Sequence, residues 1–157
     1  MSLERKEKDS QRQGEAPAVY QECTRLLKQH NSFKEAPMEE LHEYVKDIGK
    51  DLVDKKVRMN QLRKVLDSLW RIKSGLKSKG STKLREEVQS LKIYLAYMAG
   101  RAERKKTEQG ERVSVLQPFY EVLCLAIDKV IDAEDFIKFS QFIDGLVAYH
   151  KFYGGED

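Results

Sequence analysis

Apolar residues recur along this chain at steps of three and four, and that spacing constrains the fold more than any other feature. Leu84, Val88, Leu91, Leu95 and Met98 step by four, three, four and three, which lines one face of an α-helix and cannot line one face of a strand. The same rhythm runs through Tyr20, Cys23, Leu26 and Leu27, through Met38, Leu41, Val45, Ile48 and Leu52, and through Leu62, Val65, Leu69 and Ile72. It returns in Phe136, Phe139, Ile143, Leu146, Val147 and His150. The stretch after Pro118 is apolar on most sides, with Phe119, Tyr120, Val122, Leu123, Leu125 and Ile127. A helix of that kind is buried on most sides and is expected at the centre of the core. No segment reads as a strand. With only 9 Gly and 3 Pro in 157 residues, the expected fold is all-α, a compact bundle of five to six helices. Its core is drawn from Leu62, Val65, Leu69, Leu91, Leu95, Leu123, Ile127, Phe139, Ile143 and Leu146.

Punctuation places the ends. Residues 1–16 carry one apolar side chain of any size, Leu3, too little to offset the entropy of ordering, and read as a disordered arm ahead of a single helical domain over 17–157. Pro17 and Pro37 suit first helical turns. Asn31 and Ser32 end the first helix, and Gly49 weakens the second. Asn60 is expected to cap the third helix and Ser81 or Thr82 the fourth. Gly100 weakens that fourth helix where Arg101, Arg104, Lys105 and Lys106 begin. Residues 74–81 read as a flexible basic loop and residues 103–112 as a second polar loop. Ser114, Gln117 and Pro118 start the next helix, Asp132 with Asp135 caps the last, and Gly154 and Gly155 stop it.

The net charge of +3 conceals a strong segregation. Residues 55–106 hold 16 of the 29 Lys and Arg but 4 of the 26 Asp and Glu, which leaves 13 cations against 22 acids elsewhere. A cationic block between acidic flanks favours a polyanionic partner, RNA or DNA above all. The candidate contacts are Arg58, Arg63, Lys64, Arg71 and Lys73, then Lys77 in the loop, then Arg101, Arg104, Lys105 and Lys106, with Lys151 near the other end. If the helices bearing Arg58, Arg63, Lys64 and Arg71 and bearing Arg101 pack by their apolar faces, both sets border one groove.

Several chemistries lack their residues. The three histidines, His30, His42 and His150, are isolated, and no His-x-x-x-His spacing or Gly-rich phosphate loop occurs, so the expectation is no catalytic residue, no metal and no cofactor. A metal-independent ribonuclease would have to use His150 beside Lys151, which is a weak signal. Cys23 and Cys124 form no Cys-x-x-Cys pair and read as reduced, small apolar residues. No apolar run approaches the length of a membrane span, and the expected setting is the cytoplasm, with no membrane partner.

The run Leu91-Lys92-Ile93-Tyr94-Leu95-Ala96-Tyr97-Met98-Ala99-Gly100-Arg101 resembles the signature of the small subunit of type III-A CRISPR effector (Csm) complexes. Three further stretches look like that family in the same order. They are Asn60-Gln61-Leu62-Arg63-Lys64, Pro118-Phe119-Tyr120 with Ile127-Asp128, and Phe139 to Phe142 followed by Val147-Ala148-Tyr149-His150-Lys151 and Tyr153-Gly154-Gly155. Val65-Leu66 stands where aromatic residues are common and Met98 where Ala is common, apolar for apolar. The resemblance covers residues 37–155 and implies a non-catalytic subunit, copies of which line up along the guide-bound backbone of the complex and help hold guide RNA and target single-stranded RNA. Cleavage would belong to neighbouring subunits.

Two other readings stand beside this one. The small subunit of type III-B complexes is a near relative, against which the Ala-Tyr-x-Ala-Gly-Arg match counts. A helical protein–protein adaptor with no RNA role would need only an acidic partner for its basic block. Self-association is also expected, because Trp70, Tyr94, Tyr97, Phe136, Tyr149, Phe152 and Tyr153 exceed the needs of one modest core, and surplus aromatics anchor interfaces.

Overall fold

The computed structural model describes residues 17–157, so the arm expected over 1–16 lies outside the described residues. Six α-helices occur among them: α1 (Ala18–Lys28), α2 (Met38–Asp54), α3 (Met59–Ser74), α4 (Ser81–Arg101), α5 (Gln117–Asp128) and α6 (Ala133–Phe152). Short 3-10 turns at Phe33–Glu35 and Leu76–Ser78 link α1 to α2 and α3 to α4. The all-α bundle is therefore as expected, and every residue of the anticipated core is buried. One continuous apolar cluster draws on all six helices.

The centre of that cluster differs from expectation. α6, rather than α5, is the pivot: it packs along α2 and against α3 and the Phe33 turn, whereas α5 is held between α1 and α4. Two features explain the shift. Gly49 and Gly145 let the α2 and α6 backbones close together; a Cβ on Gly49 would stand 2.8 Å from the Tyr149 Cβ, and one on Gly145 would stand 3.2 Å from Val45. Phe33, fully buried, sets its ring edge-on against Phe139 and Phe142, each 5.7 Å away. Gly49 thus weakens no helix end. α2 continues to Asp54, because the close packing outweighs a propensity cost of about 1 kcal/mol.

The cap expected at Asp132 forms. Its Oδ1 accepts from the Asp135 N–H (2.9 Å), and Asp135 Oδ2 accepts from the N–H groups of Ile131 and Asp132. Asp135 is fully buried, and its other oxygen accepts from the Lys34 N–H at 2.8 Å, so the same box fastens the Phe33 turn to α6. Other caps fall one or two residues earlier than expected. Arg58 takes the N-cap position of α3, its N–H bonded by Gln61 Oε1 (2.9 Å), and Gly80 takes that of α4. Asn60, Ser81 and Thr82 lie inside their helices.

The polar segment 103–112 is no plain loop. Arg104–Lys106 (β1) and Arg112–Ser114 (β2) pair antiparallel, with Arg104 opposite Ser114, Lys105 opposite Val113 and Lys106 opposite Arg112. Gly110, at φ +82°, closes the turn, and Thr107 and Glu111 join across it. Charged strand residues hide the alternation that marks a strand in a sequence, and here the turn geometry sets the register. Likewise the basic loop after α3 is partly tied down: Lys79 pairs with Glu87 and donates to the Ile72 carbonyl at 3.0 Å.

Candidate nucleic-acid interface

The cationic block reaches the surface first where α2 ends and α3 begins. Three backbone bonds close the end of α2: Lys55 N–H to Asp51 O, Lys56 N–H to Val53 O and Val57 N–H to Leu52 O, at 2.8–3.0 Å. They hold Lys56 at φ +61°, a left-handed conformation that costs an L-residue roughly 1–2 kcal/mol. The turn buries Val57 and leaves Lys56 and Arg58 exposed on either side of it. α3 then sets off with Gln61 and Lys64 on the same flank. α4 arrives alongside, anchored by the Tyr94 hydroxyl, which donates to the Gln61 carbonyl at 3.0 Å. Its last residue, Arg101, faces that flank.

These elements enclose an open cleft of about 520 Å³, walled by Lys55, Lys56, Arg58 and Lys64 on one side and by Arg101 and Glu103 on the other. Among the described residues, five cations face one carboxylate there. Lys55 is partly committed, since its ammonium lies 3.7 Å from the buried carboxylate of Asp51, which also accepts from the Tyr20 hydroxyl at 2.6 Å. Burial, with Asp51 beside it, pushes the Tyr20 phenol far above its usual range and keeps it a donor. Lys56, Arg58, Lys64 and Arg101 are exposed. The Arg101 guanidinium sits 5.5 Å from the centre of the Tyr97 ring and donates to its hydroxyl at 3.3 Å.

Other cations singled out from the sequence stand elsewhere. Arg63 turns away from the cleft to pair with the Asp157 carboxylate at 3.3 Å, and Arg58 donates to the Asp157 backbone oxygen. Arg71 lines a separate depression of about 330 Å³ with Lys79 and Glu87. Lys73 lines a third, with Trp70 and Asp144. Lys77 is exposed on the 3-10 turn and Lys151 on the last turn of α6. Arg104 and Lys106 are exposed on β1, with Lys105 half-buried between them, and the hairpin springs from the rim of the cleft at Glu103. Arg58, Lys64 and Arg101 therefore share one groove, while Arg63 and Arg71 do not. Lys55 and Lys56 also line it, and the point at which the basic block starts, residue 55, was their one signal.

The surplus aromatics divide. Phe136 is fully buried and Tyr94 half-buried, so both serve the core. Trp70, Tyr97, Phe152 and Tyr153 remain exposed. Of the histidines, His150 has its ring wholly enclosed. A buried ring cannot reach a substrate, so His150 is not presented beside the exposed Lys151 as the ribonuclease alternative would need. Among the described residues no group of His, Cys, Asp and Glu is placed to hold a metal ion, and no helix is long and apolar enough to cross a membrane.

A protein-family model described as "Csm2 Type III-A" matches residues 35–156. The chain is also similar to a Streptococcus thermophilus protein described as "CRISPR system Cms protein Csm2", with 30% identity over 98 residues, 62% of this chain and 74% of the relative. No solved structure matches.

Proposed function

The chain belongs to the Csm2 type III-A family, the small subunit of the type III-A CRISPR effector complex, and from that membership we propose that it holds guide and target RNA by their phosphates along the cleft between α3 and α4. The observation that carries this reading is the convergence of Lys56, Arg58, Lys64 and Arg101 on one open groove in which, among the described residues, Glu103 is the single carboxylate. Cations that meet phosphates give affinity without reading sequence. A complex whose specificity resides in its guide strand requires that property. Arg104 and Lys106 on the hairpin extend the same track past the cleft's rim. The subunit is non-catalytic and works in the cytoplasm beside the other subunits of the complex. Copies of it meet one another through exposed aromatics such as Trp70 and Phe152, a contact to be read by light scattering at high concentration.

The test is binding of labelled single-stranded RNA across a salt series. Each phosphate contact contributes about −0.7 to the log–log slope. Lys64→Ala and Arg101→Ala are expected to make that slope shallower by a similar amount for every RNA sequence, and Arg71→Ala, which lies outside the cleft, to change it less. Wild-type binding by both cleft variants at low salt, or a loss confined to particular base sequences, would overturn the proposal. The RNA should stay intact throughout; cleavage by the purified chain would refute the non-catalytic reading.

A further inference from the structure

α4 presents an apolar shelf beside the cleft. Ile93 is 76% exposed and Tyr97 59% exposed, and both lie one turn apart on the same helix face. Gly100 follows one turn on, and a Cβ there would meet nothing within 4 Å, so the helix surface at that point of the same face is uncovered. These side chains have not been drawn into the core, although α4 buries Leu84, Val88, Leu91, Leu95 and Met98 on its other side. Arg101 joins the shelf to the cleft, since the residue lines the groove and its guanidinium stands over the Tyr97 ring and bonds to its hydroxyl.

We infer that Tyr97, with Ile93 beside it, is a stacking platform for an unpaired base of the RNA strand whose phosphates occupy the cleft. The inference rests on the cleft reading above and adds a preference to it. A strand laid along Lys64 and Arg101 turns its bases to one side of the backbone, and an exposed phenol ring is the flat apolar surface that a base covers. Arg101 holds the ring from the cleft side and supplies the cation that a stacked base and its phosphate both favour. In a duplex the base faces are already stacked on one another, so the shelf rewards a single strand or a frayed end and gives a duplex nothing. The cleft cations serve both. The two parts of the site thus separate charge recognition from strand recognition.

The experiment uses the full chain at low salt with three labelled probes of equal length: a single-stranded RNA, the same strand made abasic, and a blunt RNA duplex. Tyr97→Ala is expected to weaken the single strand by about 5- to 150-fold, equivalent to ~1–3 kcal/mol for one stacked base, and to leave the abasic strand and the duplex unchanged. Tyr97→Phe keeps the ring and should bind as wild type does. Lys64→Ala should weaken all three probes. If Tyr97→Ala weakens the abasic strand equally, Tyr97 acts only by positioning Arg101, and the stacking proposal is overturned while the cleft stands. If it changes no probe while Lys64→Ala still does, the shelf is a protein contact and the proposal again fails. If Lys64→Ala changes no probe either, the cleft reading itself is lost and the platform with it. Circular dichroism of each variant checks that the helices remain.

Discussion

The imidazole of His150 donates its Nε2 proton to the carbonyl of Val57 across 2.6 Å, and the ring is completely buried. The bond links the last turn of α6 to the turn that carries Lys56 and Arg58 into the cleft, across 93 residues of sequence. Gly155 closes over the ring, its N–H bonded to the His150 carbonyl at 2.8 Å, and the Met59 N–H donates to Glu156 O at 2.7 Å, so the tail beyond α6 folds back onto the start of α3. A Cβ on Gly155 would lie 2.0 Å from His150 Cε1. Gly155→Ala is therefore expected to cost about 1–3 kcal/mol, the range for overpacking a closed site. His150→Ala should cost roughly 2–5 kcal/mol through the void and the abandoned carbonyl. Denaturant midpoints measure both; a Gly155→Ala chain as stable as wild type would show that the tail does not seal the ring.

Two glycines inside helices should respond to Ala with opposite signs. Helix propensity alone favours Ala over Gly by about 1 kcal/mol. At Gly100, where a Cβ meets nothing, Gly100→Ala should realise much of that gain. At Gly49 a Cβ would press on Tyr149 Cβ at 2.8 Å and on the His150 backbone nitrogen at 3.0 Å, so Gly49→Ala should instead destabilise, because backbone cannot step aside as a flexible side chain can. Thermal melts of the pair decide it, and a gain at both positions would mean that α2 and α6 are not in close contact there.

Asp132 ties pH to stability at the head of α6. Hydrogen bonds from Lys34 and from the Asp135 N–H hold its carboxyl below the usual carboxylate range. A depressed acid contributes stability that is present above its unfolded pKa of about 3.9 and is lost as the pH falls through the folded value. Asp132→Ala should cost about 0.5–2 kcal/mol at pH 7, the usual toll for a lost cap. The difference from wild type should shrink as the pH drops below about 4. Unfolding curves at several pH values check this, and a gap that stays constant down to pH 2 would contradict it.

The cysteines should differ in reactivity. Burial pushes the Cys23 thiol up to about 12 and leaves it no exposed surface, whereas Cys124 is half-buried. A thiol reagent added to the folded chain at pH 8 is expected to modify Cys124 slowly and Cys23 only on unfolding. Prompt labelling of two thiols in the native state would mean that α1 opens readily.

Core and surface apolar residues should separate cleanly. Leu95→Ala and Ile127→Ala, both buried, should each cost about 2–5 kcal/mol. Trp70→Ala and Phe152→Ala, at 67% and 75% exposure, should change stability by less than about 0.5 kcal/mol. A large loss at Trp70 would place it in a core contact.

What the sequence determined by itself is whatever depends on neighbours along the chain. The three-and-four spacing specified the helices and which face of each is buried, because helical geometry alone brings those positions together. The Asp132–Asp135 cap was legible for the same reason, being complete within four residues. The Leu91–Arg101 run and its companions carried the family. Tertiary structure decided what depends on approach between distant segments. It made α6 rather than α5 the pivot, since the close contact at Gly49 with Tyr149 exists only once two helices cross. It buried His150, which meets Val57 and Gly155 only in the fold. It also sorted the cations: Lys56, Arg58, Lys64 and Arg101 converge because Tyr94 bonds α4 to Gln61 on α3, while Arg63, on the other flank of the same helix, turns to Asp157. A charge count records how many cations a chain has, and only packing sets which of them face the same water.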